Sequence, residues 1–219
     1  MTDHQWRDYY AATVDRPAWG TVIDAIRRFA VEDGPAAPAR FAVDLGSGAG
    51  RDARELLRHG WRVLAVDLEP AAAGALVEAT PEPDRARLET RTADIGVFEI
   101  PPCDLVNSSI SLQFLDEAAW ARTFERIAAA LSPGGRFAGY LFGDRDQAAS
   151  EPDMCCPSSD AIRGYLRDFE IETWSEREDD GRMALGDPHH FHLIEVVARR
   201  LPITGPSTSG LDAGSVTGG

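Results

Sequence analysis

Val43-Asp44-Leu45-Gly46-Ser47-Gly48-Ala49-Gly50-Arg51 is the stretch on which the reading of this chain turns. The apolar run 41–45 that leads into it reads as a buried strand. Residues 51–59 behind it read as a helix with Ala53, Leu56 and Leu57 inward, stopped by Gly60. A strand, a glycine-rich turn and a helix make a ligand-binding start, because glycines let the backbone turn sharply and approach a ligand closely. The spacing is G-x-G-x-G, without the G-x-G-x-x-G of dinucleotide sites. Asp44 stands just before the glycines, where an acid repels a pyrophosphate and suits a ligand that carries an ammonium group.

Outward from that turn, strand and helix patterns alternate. On the N-terminal side, Val22, Ile23, Ile26, Phe29 and Ala30 make one face of a helix, followed by a Gly/Pro/Ala linker at 34–39. On the other side come a strand at 61–67, an Ala-rich helix at 70–79, and strands at 88–92 and 104–107. Asp116 is placed to cap a helix whose Trp120, Phe124, Ile127, Ala128 and Leu131 keep a 3.6-residue period. Ser132-Pro133-Gly134-Gly135 ends that helix, and 136–142 is a strand. A last helix carries Ile162, Tyr165, Leu166 and Phe169, and strands at 170–175 and 191–198 close the body. Such alternation builds a parallel sheet with helices on both faces. No helical pattern separates the last two strands, so the last one is expected to run antiparallel.

Composition narrows the function. The chain has 219 residues and a formal net charge of -14. That charge disfavours nucleic acid and anionic membranes as partners. All 22 basic residues are Arg, which excludes a Schiff-base lysine and a Walker-type lysine. Cys103, Cys155 and Cys156 form neither a CxxC pair nor a disulfide framework, and no His/Cys/Asp set has metal-ligand spacing. With no apolar run of membrane length and no secretory pattern at residues 1–6, a cytoplasmic protein is expected. We divide it into one domain, 1–201, and a Gly/Ser/Thr/Pro-rich disordered tail, 202–219.

Further acids stand at strand ends. Asp67 closes the second strand, where a carboxylate accepts both hydroxyls of a ribose; it also fits a turn cap before Glu69-Pro70. Asp94 and Ile95 follow the third strand, placed to take an adenine amino group and flank its ring. His189 and His190 precede the last strand. If that strand is antiparallel, they lie at the carboxyl rim of the sheet, where one serves as a general base or both are ordinary rim residues. Trp6, Tyr9 and Tyr10 stand before the first helix, either as a cover over a ligand or as packing. Adjacent on a helix, Tyr9 and Tyr10 point about 100° apart and are not expected to serve one packed face.

Five segments together resemble the class I S-adenosylmethionine-dependent methyltransferases, over roughly residues 5–200. They are Asp44-Leu45-Gly46-Ser47-Gly48-Ala49-Gly50, Val66-Asp67, Ala93-Asp94, Cys103-Asp104-Leu105-Val106-Asn107 and Leu131-Ser132-Pro133-Gly134-Gly135-Arg136. The resemblance implies a Rossmann-like, doubly wound α/β fold with a mostly parallel seven-stranded sheet, and S-adenosylmethionine as cofactor. It implies that Asp44 with Gly46, Ser47, Gly48 and Gly50 faces the methionine and ribose portion, and that Asp67 holds the ribose hydroxyls with Leu68 against adenine. It implies Asp94 and Ile95 at the base, Asn107 and Ser108 on the sulfonium side, and Trp6 and Tyr10 as an aromatic cover, as in small-molecule and tellurite-resistance-like members.

Some features of that family are missing. Asn107-Ser108-Ser109-Ile110 replaces the Asn-Pro-Pro-aromatic motif of the adenine- and glutamine-methylating members, and the absence of Lys excludes the metal-plus-lysine apparatus of the catechol type. A small-molecule acceptor is then expected among the N-terminal segment, the loop after Asn107 and residues 143–157. The competing readings are a nicotinamide-dependent oxidoreductase and a cofactor-binding module without turnover.

Overall fold

A computed structural model describes residues 3–34 and 39–202. Apart from Pro202, the tail expected at 202–219 lies outside the described residues, as does most of the expected linker. Two helices, α1 (Asp3–Thr13) and α2 (Gly20–Asp33), precede β1 (Phe41–Leu45). There follow α3 (Arg51–Arg58), β2 (Arg62–Asp67), α4 (Pro70–Ala79), the short α5 (Glu82–Arg85), β3 (Leu88–Thr92) and β4 (Cys103–Ser109). The remainder is α6 (Glu117–Ala130), β5 (Leu131–Phe142), α7 (Ser159–Tyr165), β6 (Phe169–Arg182) and β7 (Pro188–Arg200).

The seven strands form one sheet in the order β3-β2-β1-β4-β5-β7-β6. The first five are parallel to their neighbours, while β7 runs antiparallel to both β5 and β6. The expected doubly wound sheet with an antiparallel last strand is therefore the observed one. Strand order reverses between β1 and β4, and there Asp44 and Asn107 are cross-strand partners. A crevice opens at such a reversal, which is where ligands bind in open α/β sheets.

Alternation along the buried strands sends neighbouring side chains to opposite faces. Ala42, Val63, Leu105 and Ala138 pack on Val22, Ala25, Ile26 and Phe29 of α2 and on Leu56 and Leu57 of α3. Val43, Leu45, Val106 and Phe137 pack on Trp120, Phe124 and Ile127 of α6. Arg136 is the one charged side chain among the largest fully buried ones; its guanidinium is held by Glu32 and Glu172 and lies over Phe29. The α2 stripe is narrower than expected. Val22, Ala25, Ile26 and Phe29 face the sheet, whereas Ile23 and Ala30 are exposed, each one helical step off that stripe.

Asp116 caps α6 as expected, its carboxylate accepting from the Ala119 amide at 2.7 Å. Asp116→Ala should lower stability by about 1 kcal/mol, read as a shift of the urea midpoint at constant slope. Two strand boundaries move. β5 already begins at Leu131, because Ser132 to Gly135 bulge out between the Cys103–Leu131 and Leu105–Arg136 pairs instead of ending the helix as a free turn. β6 and β7 extend far beyond 170–175 and 191–198. Their added part is a hairpin of charged residues at the sheet edge. Backbone pairing from Glu176–Ile194 out to Arg182–Pro188 makes it a strand, without an apolar alternation to announce it. No helix among the described residues is long and apolar enough to cross a membrane. The three cysteines are free.

Candidate cofactor site at the carboxyl rim

Two glycines of the turn after β1 are dictated by their surroundings. Gly46 has φ 72° and a Cβ there would stand 2.2 Å from the Ser111 Cβ; Gly50 has φ 78° and a Cβ would stand 2.1 Å from Leu76 Cδ1. The turn directs its amides inward. Gly46 and Ser47 donate to the Val66 carbonyl at 2.8 and 3.1 Å, Gly50 donates to the Ser47 carbonyl, and Gly48 donates to Asp67 Oδ2 at 2.8 Å. Four N–H groups that a pyrophosphate needs are thus engaged within the protein.

Asp44, the penultimate residue of β1, is 2% exposed. Its Oδ1 accepts from Asn107 Nδ2 at 2.8 Å, while its Oδ2 and the Asn107 Oδ1 have no side-chain partner among the described residues. The same Asn107 Nδ2 donates to Asp52 Oδ2 at 3.0 Å. Asp52, in the first turn of α3 and also buried, further accepts from Ser109 Oγ at 2.7 Å and from the Trp19 amide at 2.9 Å. Burial foremost, then the negative charge of Asp52, push the Asp44 carboxyl up to about 8, against hydrogen bonds from the Asn107 side chain and the Ala53 backbone.

At the end of β2, the half-buried Asp67 also accepts from the Glu69 amide at 3.0 Å, so it caps the turn while remaining at the rim. Leu68 is exposed. After β3, Asp94 accepts from the Gly96 amide at 2.8 Å and Ile95 is buried toward α6. After β4, Ser108 points away from Asn107, its hydroxyl on the Leu45 carbonyl and 2.7 Å from Ser111 Oγ. Ile110 follows with φ 51°, its amide on the Tyr140 carbonyl at 2.7 Å. A β-branched residue held in the left-handed region is strained, and such strain gathers at functional sites.

Helix α1 lies across the glycine turn and α4. The Tyr10 ring is buried and reaches within 3.7 Å of the position a Gly48 Cβ would take. Trp6 stacks on Tyr10 with centroids 5.9 Å apart and meets Tyr9 edge-on at 5.8 Å. Tyr9 and Tyr10 therefore do share one aromatic cluster, which also takes in Ala49 and Ala72. Trp6 bridges their different directions, which helix geometry for the two tyrosines alone did not allow for. Burial, together with the Asp67 and Glu69 charges, raises the Tyr10 phenol.

The histidines part company. His189 Nε2 lies 2.7 Å from Asp146 Oδ1, and its ring packs against Phe142 and Phe191. Asp146 is buried and also accepts from the His192 and Ala148 amides. His190 instead stands on the hairpin between Asp180 and Glu178, whose carboxylates raise it. An apolar cluster of Tyr140, Phe142, Ile110, Trp19, Met154 and Phe191 joins the Asn107 end of the rim to His189, with Trp19 stacked on Tyr140 at 3.9 Å. Sequence reasoning did not single out Asp52, Trp19 or Asp146. Among the described residues no group of three His, Cys, Asp or Glu is placed to hold a metal.

Residues 42–135 match the family model described as a methyltransferase domain. A carboxy-S-adenosyl-L-methionine synthase from Psychrobacter sp. is 36% identical over 148 residues, which cover 62% of this chain and 50% of that protein. The chain spans between about a third and a half of the length of the curated relatives it matches. In fold it is similar to TehB from Haemophilus influenzae, with a TM-score of 0.70 at 19% identity, covering 84% of this chain and 62% of that one. It is also similar to the Burkholderia thailandensis 1,6-didemethyltoxoflavin-N1-methyltransferase, solved with 1,6-didemethyltoxoflavin and S-adenosylhomocysteine. That TM-score is 0.62 at 22% identity, covering 91% and 84%. Residues 42–135 are thus similar to a methyltransferase domain, and the chain has the fold of TehB and of the Burkholderia methyltransferase.

Proposed function

We propose that residues 1–201 act as one cytoplasmic enzyme domain that transfers the methyl group of S-adenosylmethionine to a small-molecule acceptor. The observation that carries this reading is the buried Asp44 carboxylate at the sheet's reversal point, with one oxygen lacking a side-chain partner among the described residues, beside a glycine turn whose amides are already engaged. Such a site suits an ammonium group and offers a diphosphate nothing. The net charge of -14 supports a small acceptor over a nucleic acid.

The cofactor supplies a methyl group activated on a sulfonium, so the chain's task is to hold two reactants in line and exclude water. Asp44 and the turn of Gly46, Ser47, Gly48 and Gly50 hold the methionine end. Asp67 keeps lone pairs for the ribose hydroxyls, with Leu68 beside the adenine. Asp94 and Ile95 border the base, and Asn107 and Ser108 border the sulfonium side. Trp6 and Tyr10 cover the whole. Where the acceptor needs a base, His189 takes that role in preference to His190. Asp146 holds its Nε2, which leaves Nδ1 as the lone-pair nitrogen.

Calorimetric titration with S-adenosylhomocysteine and, separately, with NADH tests the reading. Binding of the thioether with no heat from NADH is expected. Tight NADH binding without thioether binding would overturn it. Methyl release to a panel of small acceptors then separates an enzyme from a binding module.

A further inference from the structure

Asp44 and Asp52 approach one another from two elements, β1 and α3, and their carboxylates flank a single nitrogen, Asn107 Nδ2. Both are buried. A neutral amide is all that stands between them. Beside it, Asp44 Oδ2 and Asn107 Oδ1 are buried acceptors with no side-chain donor among the described residues. One cation, Arg51, acts on Asp52. Asp67, on β2, adds a further negative charge. Arg51, next to Asp52 on α3, is turned to the Pro17 carbonyl and lies over the Trp19 ring. Arg16 on the segment before α2, Tyr9 on α1 and Tyr140 on β5 face that arginine. Two buried carboxylates at such range cannot both stay ionised unless a cation joins them; otherwise they keep a proton.

We propose that Asp52 is a second carboxylate of the cofactor site, that its charge beside the Asn107 amide keeps a proton on Asp44, and that the ammonium group of the cofactor displaces that proton. This rests on the cofactor assignment above and adds a residue and a coupling to it. The exchange balances: one proton leaves for solvent and one ammonium charge enters, so the charge of the buried pair and its ligand is unchanged. Asp52 acts by positioning as well. Its Oδ1 fixes the Trp19 amide, and the Trp19 ring stacks on Tyr140, which ties the cofactor end of the rim to its apolar end.

The linkage has a definite sign. A ligand that displaces a proton binds more tightly as pH rises, until the Asp44 carboxyl is already ionised without it. Burial and then the Asp52 charge raise the Asp44 carboxyl to about 8. Affinity for S-adenosylhomocysteine is therefore expected to climb from pH 6 toward pH 8 and to level off above. The same raised carboxyl makes the free protein lose stability as pH rises through that range, so the thermal shift caused by the ligand grows with pH.

The test is isothermal calorimetry of S-adenosylhomocysteine with the full chain at pH 7, in two buffers of different protonation enthalpy, followed by a pH series. Release of about one proton per ligand is expected. Asp52→Asn should move the rise in affinity to lower pH by about one unit and weaken binding at pH 8 roughly tenfold. Wild-type binding that is tight, independent of buffer and flat from pH 6 to 8 overturns the inference and leaves the cofactor assignment standing. So does an Asp52→Asn protein that keeps the wild-type pH profile. If the variant does not fold, the wild-type buffer and pH series decide alone. No binding of the thioether at all removes the cofactor assignment, and the inference with it.

Discussion

Asp67→Ala should weaken S-adenosylhomocysteine binding by one to two orders of magnitude. A carboxylate that bridges two ribose hydroxyls makes two charge-assisted hydrogen bonds, each worth roughly 1.5–3 kcal/mol. The structure adds a second consequence. Asp67 already accepts from the Gly48 and Glu69 amides, one on each oxygen. The carboxylate has further lone pairs beyond those two, one of them facing the Tyr10 phenol, so the turn bonds do not exclude a ribose hydroxyl. Alanine removes both, and stability should fall by about 1 kcal/mol because the two amides sit at the wet rim and find water. Asp67→Asn separates the effects. Its amide oxygen retains one turn bond and one hydroxyl bond without the charge, so stability should stay near wild type while affinity falls by an intermediate factor. If both variants bind the thioether normally and only the urea midpoint moves, Asp67 is a turn cap and nothing more.

The sheet was legible because burial on both faces makes parallel strands read as apolar runs, with glycine turns marking their ends. Even the direction of the last strand followed from the missing helix between β6 and β7. The hairpin beyond it was not legible. Glu176 to Asp180 are exposed and charged, and their strand conformation comes from pairing with β7, which no local pattern encodes. Asp44, Asp67 and Asn107 could be placed because each ends a strand that points at the crevice. Asp52 could not. An acid in the first turn of a helix is ordinary, since it complements the helix dipole. Only the tertiary approach of α3 to β4 brings it to Asn107 and Ser109. Asp146 was hidden likewise among the polar residues of 143–157. Its importance rests on His189 and His192, which the chain reaches more than forty residues later. The histidine cluster itself was visible, but which ring gained a buried carboxylate depended on strand register.

Removing residues 1–12 should leave the sheet folded, weaken cofactor binding at least tenfold and abolish methyl transfer. The first part follows from packing. Trp6, Tyr9 and Tyr10 form a small cluster with Ala49, Ala71, Ala72 and Ala75, apart from the two cores that hold α2, α3 and α6 to the sheet. The segment behind the deletion stays anchored without α1, because Arg51 holds the Pro17 carbonyl, Arg54 holds the Val14 carbonyl, and Asp52 holds the Trp19 amide. The second part follows from place. Tyr10 lies against Gly48 and beside Asp67, so α1 forms one wall over the turn and the ribose acid. Trp6 extends that wall to Phe114, whose ring centroid is 6.0 Å away, on the loop after β4. Without it, water enters where the methyl group must be shielded and the acceptor loses a side of its chamber. Adding S-adenosylhomocysteine to the full chain should raise the protection of this segment from limited proteolysis, with no such change elsewhere on the rim. A truncated protein that binds the thioether and turns over acceptors at the wild-type rate sinks the cover assignment. The acceptor would then be held by residues 143–157 and the His189 end of the rim alone.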